Sequence, residues 1–409
     1  MSWRIAVQTL PGPSLDLLFT NRSLVDNISG RNLITFTRAS SATYVDSNRL
    51  IRTAATNEPR FDHNPATGES LGLLIEEQRT NLLTYSEQFD NAYWGKDGTA
   101  VTPNAATAPD GTLTAGLLYT ITSGIASVYS NLGTVSSAFY TTTVYLKSAG
   151  FTWASVYGPQ GNISAFFNLI AGTVGTVGAG LTASISSVGN GWYRCSVTQT
   201  ATYASFYVLP ADANGTLTST ASGTSGIFIW GAQLEQGSFP TSYIPTTTAA
   251  VTRATDAASI TGANFSSWYN QSAGAIFMDY KRSLYVGNGY PIPWIIRDSV
   301  PGNYINGILI YGEAGNIYDR LGGTNIETTP AVTLPNPLGR TDKNVATFTN
   351  GSLNMAINGT LGTESSSKIY PLGSVNRFIF SPVMGGFTFK RLTYWPARLP
   401  NPILRRLTQ

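Results

Sequence analysis

The chain has 409 residues, 42% of them hydrophobic but only 11% charged, with 41 glycines and 21 prolines. Such a length predicts two or three domains, and so little charge, against roughly 25% in an ordinary soluble domain, predicts a surface made mostly of Ser, Thr, Asn and Gly. A net charge of +3 without a basic run argues against nucleic acid as a partner, and the single cysteine, Cys195, excludes an intrachain disulfide.

The opening MSWRIAVQTLPGPSL has no apolar core of signal-peptide length, and no run reaches the roughly eighteen apolar residues of a membrane helix. The expectation is a protein that is soluble or reaches the outside by a route other than secretion. Residues 31–61 alternate apolar and polar side chains about a turn at Asp46, Ser47 and Asn48, the pattern of a hairpin. Pro59, Pro65 and Gly68 then punctuate a loop, FDHNPATGES, before LGLLIEEQRTNLL. That run begins with helical spacing at Leu74, Glu77 and Gln78 and loses it in TNLLTYS. It reads as a packed connector that binds the N-terminal hairpin to the sandwich that follows.

From about residue 82 the texture turns Thr/Ser/Gly-rich with strand-like alternation. In TTVYLKS, Val144 and Leu146 face opposite to Tyr145 and Lys147; in WYRCSVT, Cys195 shares a face with Tyr193 and Val197 and reads as a small core residue. GIFIWGAQLEQG closes this region as a buried strand. Strands spaced by turn signals with no helical pattern between them describe an all-β sandwich. A Pro/Thr/Ala-rich linker, residues 238–256, leads to a second alternating region, and NPILRRLTQ ends the chain as a helical turn with Asn401 as cap and Pro402 at the first helical position. No repeat of about 20 to 50 residues is present, which argues against β-helix, propeller and solenoid architectures.

The segment TFTRASSATYVDSNRLIRTAATNEPRFDHNPATGESLGLLIEEQRTNLLTYSEQF resembles one recurrent in structural proteins of tailed bacteriophages. The matching elements are the TRAS/ATY pair, the PRFD-x-x-P loop and the LGLLIEE-x-RTNLL-x-YSE-x-F run. APDGT, VYLKS and IWGAQLEQGSFPTSYIPT resemble a galactose-binding-like jelly roll, and MAINGTLG, FIFSP and FKRLTYWPARLPNPILRRLT resemble the last strands of a concanavalin A-like or laminin G-like module. The resemblance implies a virion structural protein, assembled in the host cytoplasm and exposed on the phage particle, and a homotrimer. The fold class expected is all-β: an N-terminal anchoring region at 1–80, a jelly roll at 81–250 and a lectin-type sandwich at 251–409. Residues 81–409 are expected to fold without the anchor.

The chemistry is sparse. Glu76 and Glu77 are neighbours whose side chains diverge on helix or strand, so they cannot flank one glycosidic bond; ion pairing with Arg60 or Arg79 is their expected role. His63 beside Asp62 lacks the geometry of a hydrolase triad, and Asp62 is expected to bond backbone amides. One His and one Cys leave no transition-metal set; no cofactor is expected, with structural calcium left open through Asp97, Asp110, Asp279 and Asp319. Glycan is the ligand these residues suit, because a pyranose stacks on an aromatic ring and needs hydroxyl partners rather than charge. Trp153 and Tyr157, four apart on one strand face, Trp94, Tyr304, Tyr311 and Tyr318 are the candidate platforms. The function expected is a non-enzymatic tail-fibre or receptor-binding component, with residues 1–80 facing other virion proteins. The alternatives are a capsid decoration or head-fibre protein and a polysaccharide depolymerase.

Overall fold

The computed structural model describes residues 11–221, 223–282, 292–298, 306–311, 316–321, 324–328, 341–349, 351–364, 375–383 and 385–409, with the strands from 306 to 328 described by their backbone. Its architecture is the expected all-β one: two sandwiches with only short helices among the described residues.

The first sandwich is one ten-stranded sheet folded over itself. Two long strands, Ser127–Ala149 and Trp192–Ala211, run antiparallel and make the fold. Their register shifts between Asn131 and Gly133 and again between Thr134 and Ala138. Bulges of this kind bend a strand and raise its twist, and here they let both strands pass from one layer to the other. Their first pairing, Val128–Thr134 with Tyr203–Val208, carries the strands Gly95–Asp97 and Trp153–Tyr157 beside it. Their second, Ala138–Leu146 with Tyr193–Ala201, carries Thr182–Gly189 and Gly226–Gln236. Between the layers lie Val128, Val144, Leu146, Val156, Val197, Phe206 and Leu234. Cys195 is fully buried there, and burial pushes its thiol pKa up. The alternation expected in TTVYLKS and WYRCSVT therefore holds: Val144, Leu146, Cys195 and Val197 face inward, while Tyr145 joins a separate cluster with Trp192, Trp230 and Tyr243 on the opposite face.

The second sandwich draws on both ends of the chain. In one sheet, Ala273–Arg282 lies between Thr341–Thr349 and Gly386–Trp395; the far edge of Gly386–Trp395 takes up Ser70–Glu76 and Leu15–Leu18, and Arg60–His63 follows Ser70–Glu76. In the other, Thr35–Thr37 pairs with Ala257–Thr261, which continues through Arg377–Val383 to Ile292–Arg297. Leu15, Leu17, Phe19, Leu73 and Ile75 are buried in the same core as Ile276, Trp294, Phe380, Phe389 and Tyr394.

This differs from a separate region at 1–80. The run is the strand Ser70–Glu76, not the helical turn its spacing suggests at Leu74, Glu77 and Gln78, and Leu73 and Ile75 bind it to the second sandwich rather than the first. The apolar residues of that run mark a buried segment but cannot tell which edge, three hundred residues away, will pair with it. The chain leaves the second sandwich through Arg79–Asn81 and returns through Val251–Arg253, and these two segments pair antiparallel. The jelly roll is thus an insertion whose entry and exit lie side by side. Asn81 fastens that neck: its amide donates to the carbonyls of Ala232 and Ile244, and its side-chain oxygen accepts from the amides of Leu83 and Leu234.

The hairpin about Asp46 forms as expected, Ala42–Val45 pairing with Ile51–Ala54, and the Asp46 carboxylate accepts from the amides of Asn48 and Leu50. The last helix spans Asn401–Leu407, capped by Pro400 rather than Asn401. Asn401 instead accepts from Arg398 and donates to Glu364.

Candidate functional site

Val156 and Ala154 point into the jelly-roll core, so Trp153 and Tyr157 share the outward face of their strand, as the spacing predicts. Tyr157 is not alone there. Tyr129 lies opposite Tyr207, and the pairing of Val156 with Val208 sets Tyr157 on the other flank of Tyr207. Three tyrosines from three adjacent strands form a ladder: the rings of Tyr129 and Tyr207 stack with centroids 5.1 Å apart and planes 10° apart, and Tyr157 tilts against Tyr207 at 5.5 Å and 45°. All three are half-buried.

The ends of the ladder differ. At Gly95, across from Tyr129, an added Cβ would lie 2.4 Å from the ring, so a residue without a side chain lets the backbone close over that end. Beyond Tyr157 the next residue across the sheet is Ser164, too small to cover the ring. The Tyr207 hydroxyl donates to the Asn131 side-chain oxygen at 2.9 Å, and the Gln160 side-chain oxygen accepts from the amides of Thr202 and Tyr203. Burial pushes the Tyr157 phenol up, so it remains a hydroxyl donor at neutral pH. The surface offers three half-buried aromatic rings with hydroxyl and amide groups beside them.

The other candidate platforms fall elsewhere. Trp94 is only 2% exposed: its ring stacks on Phe89 and meets Phe206 edge-on, and its Nε1 donates to the Tyr85 carbonyl. It is a core residue with no open face. Trp153 lies at the far end of its strand from Tyr157, with its ring so close to Gly175 that a Cβ there would come within 2.6 Å. Tyr304 lies outside the described residues. Tyr311 and Tyr318 are opposite Asn316 and Leu309 in the backbone register of the second sandwich, remote in sequence from the ladder. Sequence spacing found Tyr157 and missed Tyr129 and Tyr207, since only the register of the two long strands sets them beside it.

The carboxylates sort as expected. Glu76 is buried between Arg60 and Arg253, at 2.8 and 2.7 Å, and also accepts from the Ser242 amide and hydroxyl. Burial works against its charge, but Arg253 and Arg60 hold its pKa down at about 2. Arg60 also pairs with Asp256, which pairs in turn with Arg38. Glu77 pairs with Arg79. Asp62 accepts from the Val45 amide at 2.8 Å, as expected, and burial pushes its pKa up to about 6. His63, in a strand rather than a loop, bonds the Val45 carbonyl through Nδ1. Of the calcium candidates, Asp97 is exposed, Asp110 accepts from Thr112, and Asp279 is partly buried with its pKa raised by burial. Among the described residues no three His, Cys, Asp or Glu side chains converge on a metal-sized site.

No family model matches this chain, and no curated protein does. Among solved structures it is similar to the Ruminococcus gnavus IT-sialidase CBM40, at 16% identity over 34% of this chain and 84% of that one, with a TM-score of 0.29. The binding domain of Botulinum neurotoxin DC, in complex with rat synaptotagmin II, matches at 16% identity over 38% and 40%, TM-score 0.29. The metal-free Emp46p carbohydrate recognition domain matches at 10% identity over 32% and 74%, TM-score 0.24. These are partial overlaps, and the functional argument rests on the residues of this chain.

Proposed function

We propose that the protein is a non-enzymatic glycan-binding component of a bacteriophage virion that acts in host-surface adhesion, as a tail-fibre or receptor-binding part. The observation that supports glycan binding is the half-buried Tyr129–Tyr207–Tyr157 ladder, with Ser164 as the small neighbour of Tyr157 across the sheet and an amide side chain beside it. A sugar ring stacked on Tyr157 would bury its apolar face against the phenol, and its hydroxyls would exchange water for the tyrosine hydroxyls and the Asn131 and Gln160 side chains. The virion context rests on the motifs of residues 35–89. With the first eighty residues largely built into the second sandwich, contact with other virion proteins would use the exposed loops of that sandwich.

The test is a glycan array with the full chain and its Tyr157→Ala variant. Loss of one stacking partner is worth about 1 kcal/mol, so affinity for a bound neutral oligosaccharide should fall about five- to tenfold with the fold intact. Unchanged binding in the variant would remove the ladder from the argument. New reducing ends on incubation with host polysaccharide would overturn the non-enzymatic reading. Antibody labelling of intact particles tests the rest: label at the tail supports adhesion, and label over the head favours a decoration protein.

A further inference from the structure

A cleft of about 520 Å³ lies where the jelly roll meets the second sandwich. One wall is the outer face of the jelly roll, with Tyr145, Ser186, Ser187 and Arg194; the other includes Asp62 and Lys281. The volume falls in the range of small-ligand sites, roughly 300–1,000 Å³.

Charge in and behind the cleft does not balance. The buried cluster behind it holds three guanidiniums, Arg38, Arg60 and Arg253, against two carboxylates, Glu76 and Asp256, a surplus of one positive charge. Asp62, when ionised, offsets that surplus. Glu76 is consumed by its two arginines, and Arg282, which also lines the cleft, is paired with Asp342. Arg194 and Lys281 remain, and among the described residues neither has a carboxylate within ion-pair distance.

Arg194 is also held in place. Its Nη2 donates to the Thr143 hydroxyl at 3.1 Å and the Thr241 carbonyl at 2.7 Å, and its guanidinium lies 5.5 Å from the Tyr145 ring centroid. Those bonds use only one of its terminal nitrogens, so the guanidinium is pre-oriented while Nη1 has no acceptor among the described residues. A fixed planar donor lining the same cleft as a second cation is suited to a carboxylate, which accepts from both. The exposed Ser186 hydroxyl, directly across the sheet from Arg194, suits a polyhydroxylated body.

We propose that this cleft is a second saccharide site, distinct from the tyrosine ladder, that takes a carboxylate-bearing sugar residue, its carboxylate between Arg194 and Lys281 and its hydroxyls toward Ser186. That the ligand is a sugar rests on the glycan-binding reading; that it is an anion rests on the charge balance alone.

The test is calorimetric titration of the full chain at low salt with three probes: D-glucuronate, D-glucose and inorganic sulfate. Glucuronate should bind at least tenfold tighter than either of the others. Lys281→Gln, a change at a partly exposed side chain, should weaken glucuronate about five- to tenfold, and Arg194→Gln at least as much. Asp62→Asn, which removes the carboxylate lining the cleft that, unlike Glu76, is not held by arginines, should tighten it. Equal binding of glucose, sulfate as tight as glucuronate, no glucuronate binding, or glucuronate binding untouched in Lys281→Gln would each overturn the proposal. Failure of the ladder reads out separately, as neutral oligosaccharide binding that survives Tyr157→Ala while glucuronate still depends on Lys281.

Discussion

Replacing Glu76 by Gln tests how the two sandwiches are joined. Glu76 lies on the last residue of a second-sandwich strand, yet its carboxylate bonds Ser242 of the segment leaving the jelly roll and Arg253 of the returning neck. Gln keeps the shape and one acceptor oxygen but leaves three buried guanidiniums facing the single carboxylate of Asp256. Breaking one partner out of a buried ionic cluster costs about 3–5 kcal/mol. Linkage gives a matching figure: a carboxyl lowered from 4.5 to about 2, at about 1.4 kcal/mol per pKa unit, contributes about 3 kcal/mol. The sign follows from the lowered pKa: this stability is present above about pH 4.5 and is lost as pH falls toward 2. Urea denaturation followed by tryptophan fluorescence, at pH 7 and near pH 2.5, measures both. The variant should be less stable by about 3 kcal/mol at pH 7, and the two curves should draw together in acid. A penalty under about 1 kcal/mol at neutral pH, or one equally large near pH 2.5, would refute the role assigned to the cluster.

Two further predictions concern the insertion and Asp62. Residues 82–250, which hold the whole jelly-roll core, should give a cooperative thermal transition alone, whereas residues 81–409 should not fold their second sandwich. That fragment lacks Leu15, Leu17, Phe19, Leu73 and Ile75, and at about 2–5 kcal/mol for each large core side chain removed the loss, on the order of 10–25 kcal/mol, is as large as or larger than the roughly 5–15 kcal/mol net stability of a domain; a dispersed, cooperative spectrum from all of 81–409 would contradict the shared core. Asp62 has its pKa raised from 3.8 to about 6, so ionising it costs the folded state, and stability falls as pH rises through that window. Asp62→Asn should match the parent near pH 4 and exceed it by about 1–3 kcal/mol at pH 8, the range allowing for the carboxyl's opening onto the cleft; a variant less stable at pH 8 would show that the charge is needed.

How far the sequence reached depended on the range of the interaction. Period-two alternation in TTVYLKS and WYRCSVT is a local property of a strand with one face in a core, so the inward set of Val144, Leu146, Cys195 and Val197 could be read directly. The Asp46 turn is equally local, because one side chain caps amides two and four residues on. The ion pairing of Glu76 with Arg60 and Glu77 with Arg79 was also legible, since the partners are close in the chain. The cluster's other half was not, because Arg253 and Asp256 lie about 180 residues away.

By itself, then, the sequence determined the all-β class and, in the jelly roll, which strands have a buried face. Tertiary structure alone decided which edges those strands occupy, and with that the number of units: the alternation of Leu73 and Ile75 is satisfied by any apolar core, and only pairing with Gly386–Trp395 assigns them to the second sandwich. It decided the sites for the same reason. Tyr129, Tyr157 and Tyr207 become one surface through the register of three strands, and Arg194 and Lys281 become one cleft through the packing of two sandwiches; neither depends on spacing along the chain.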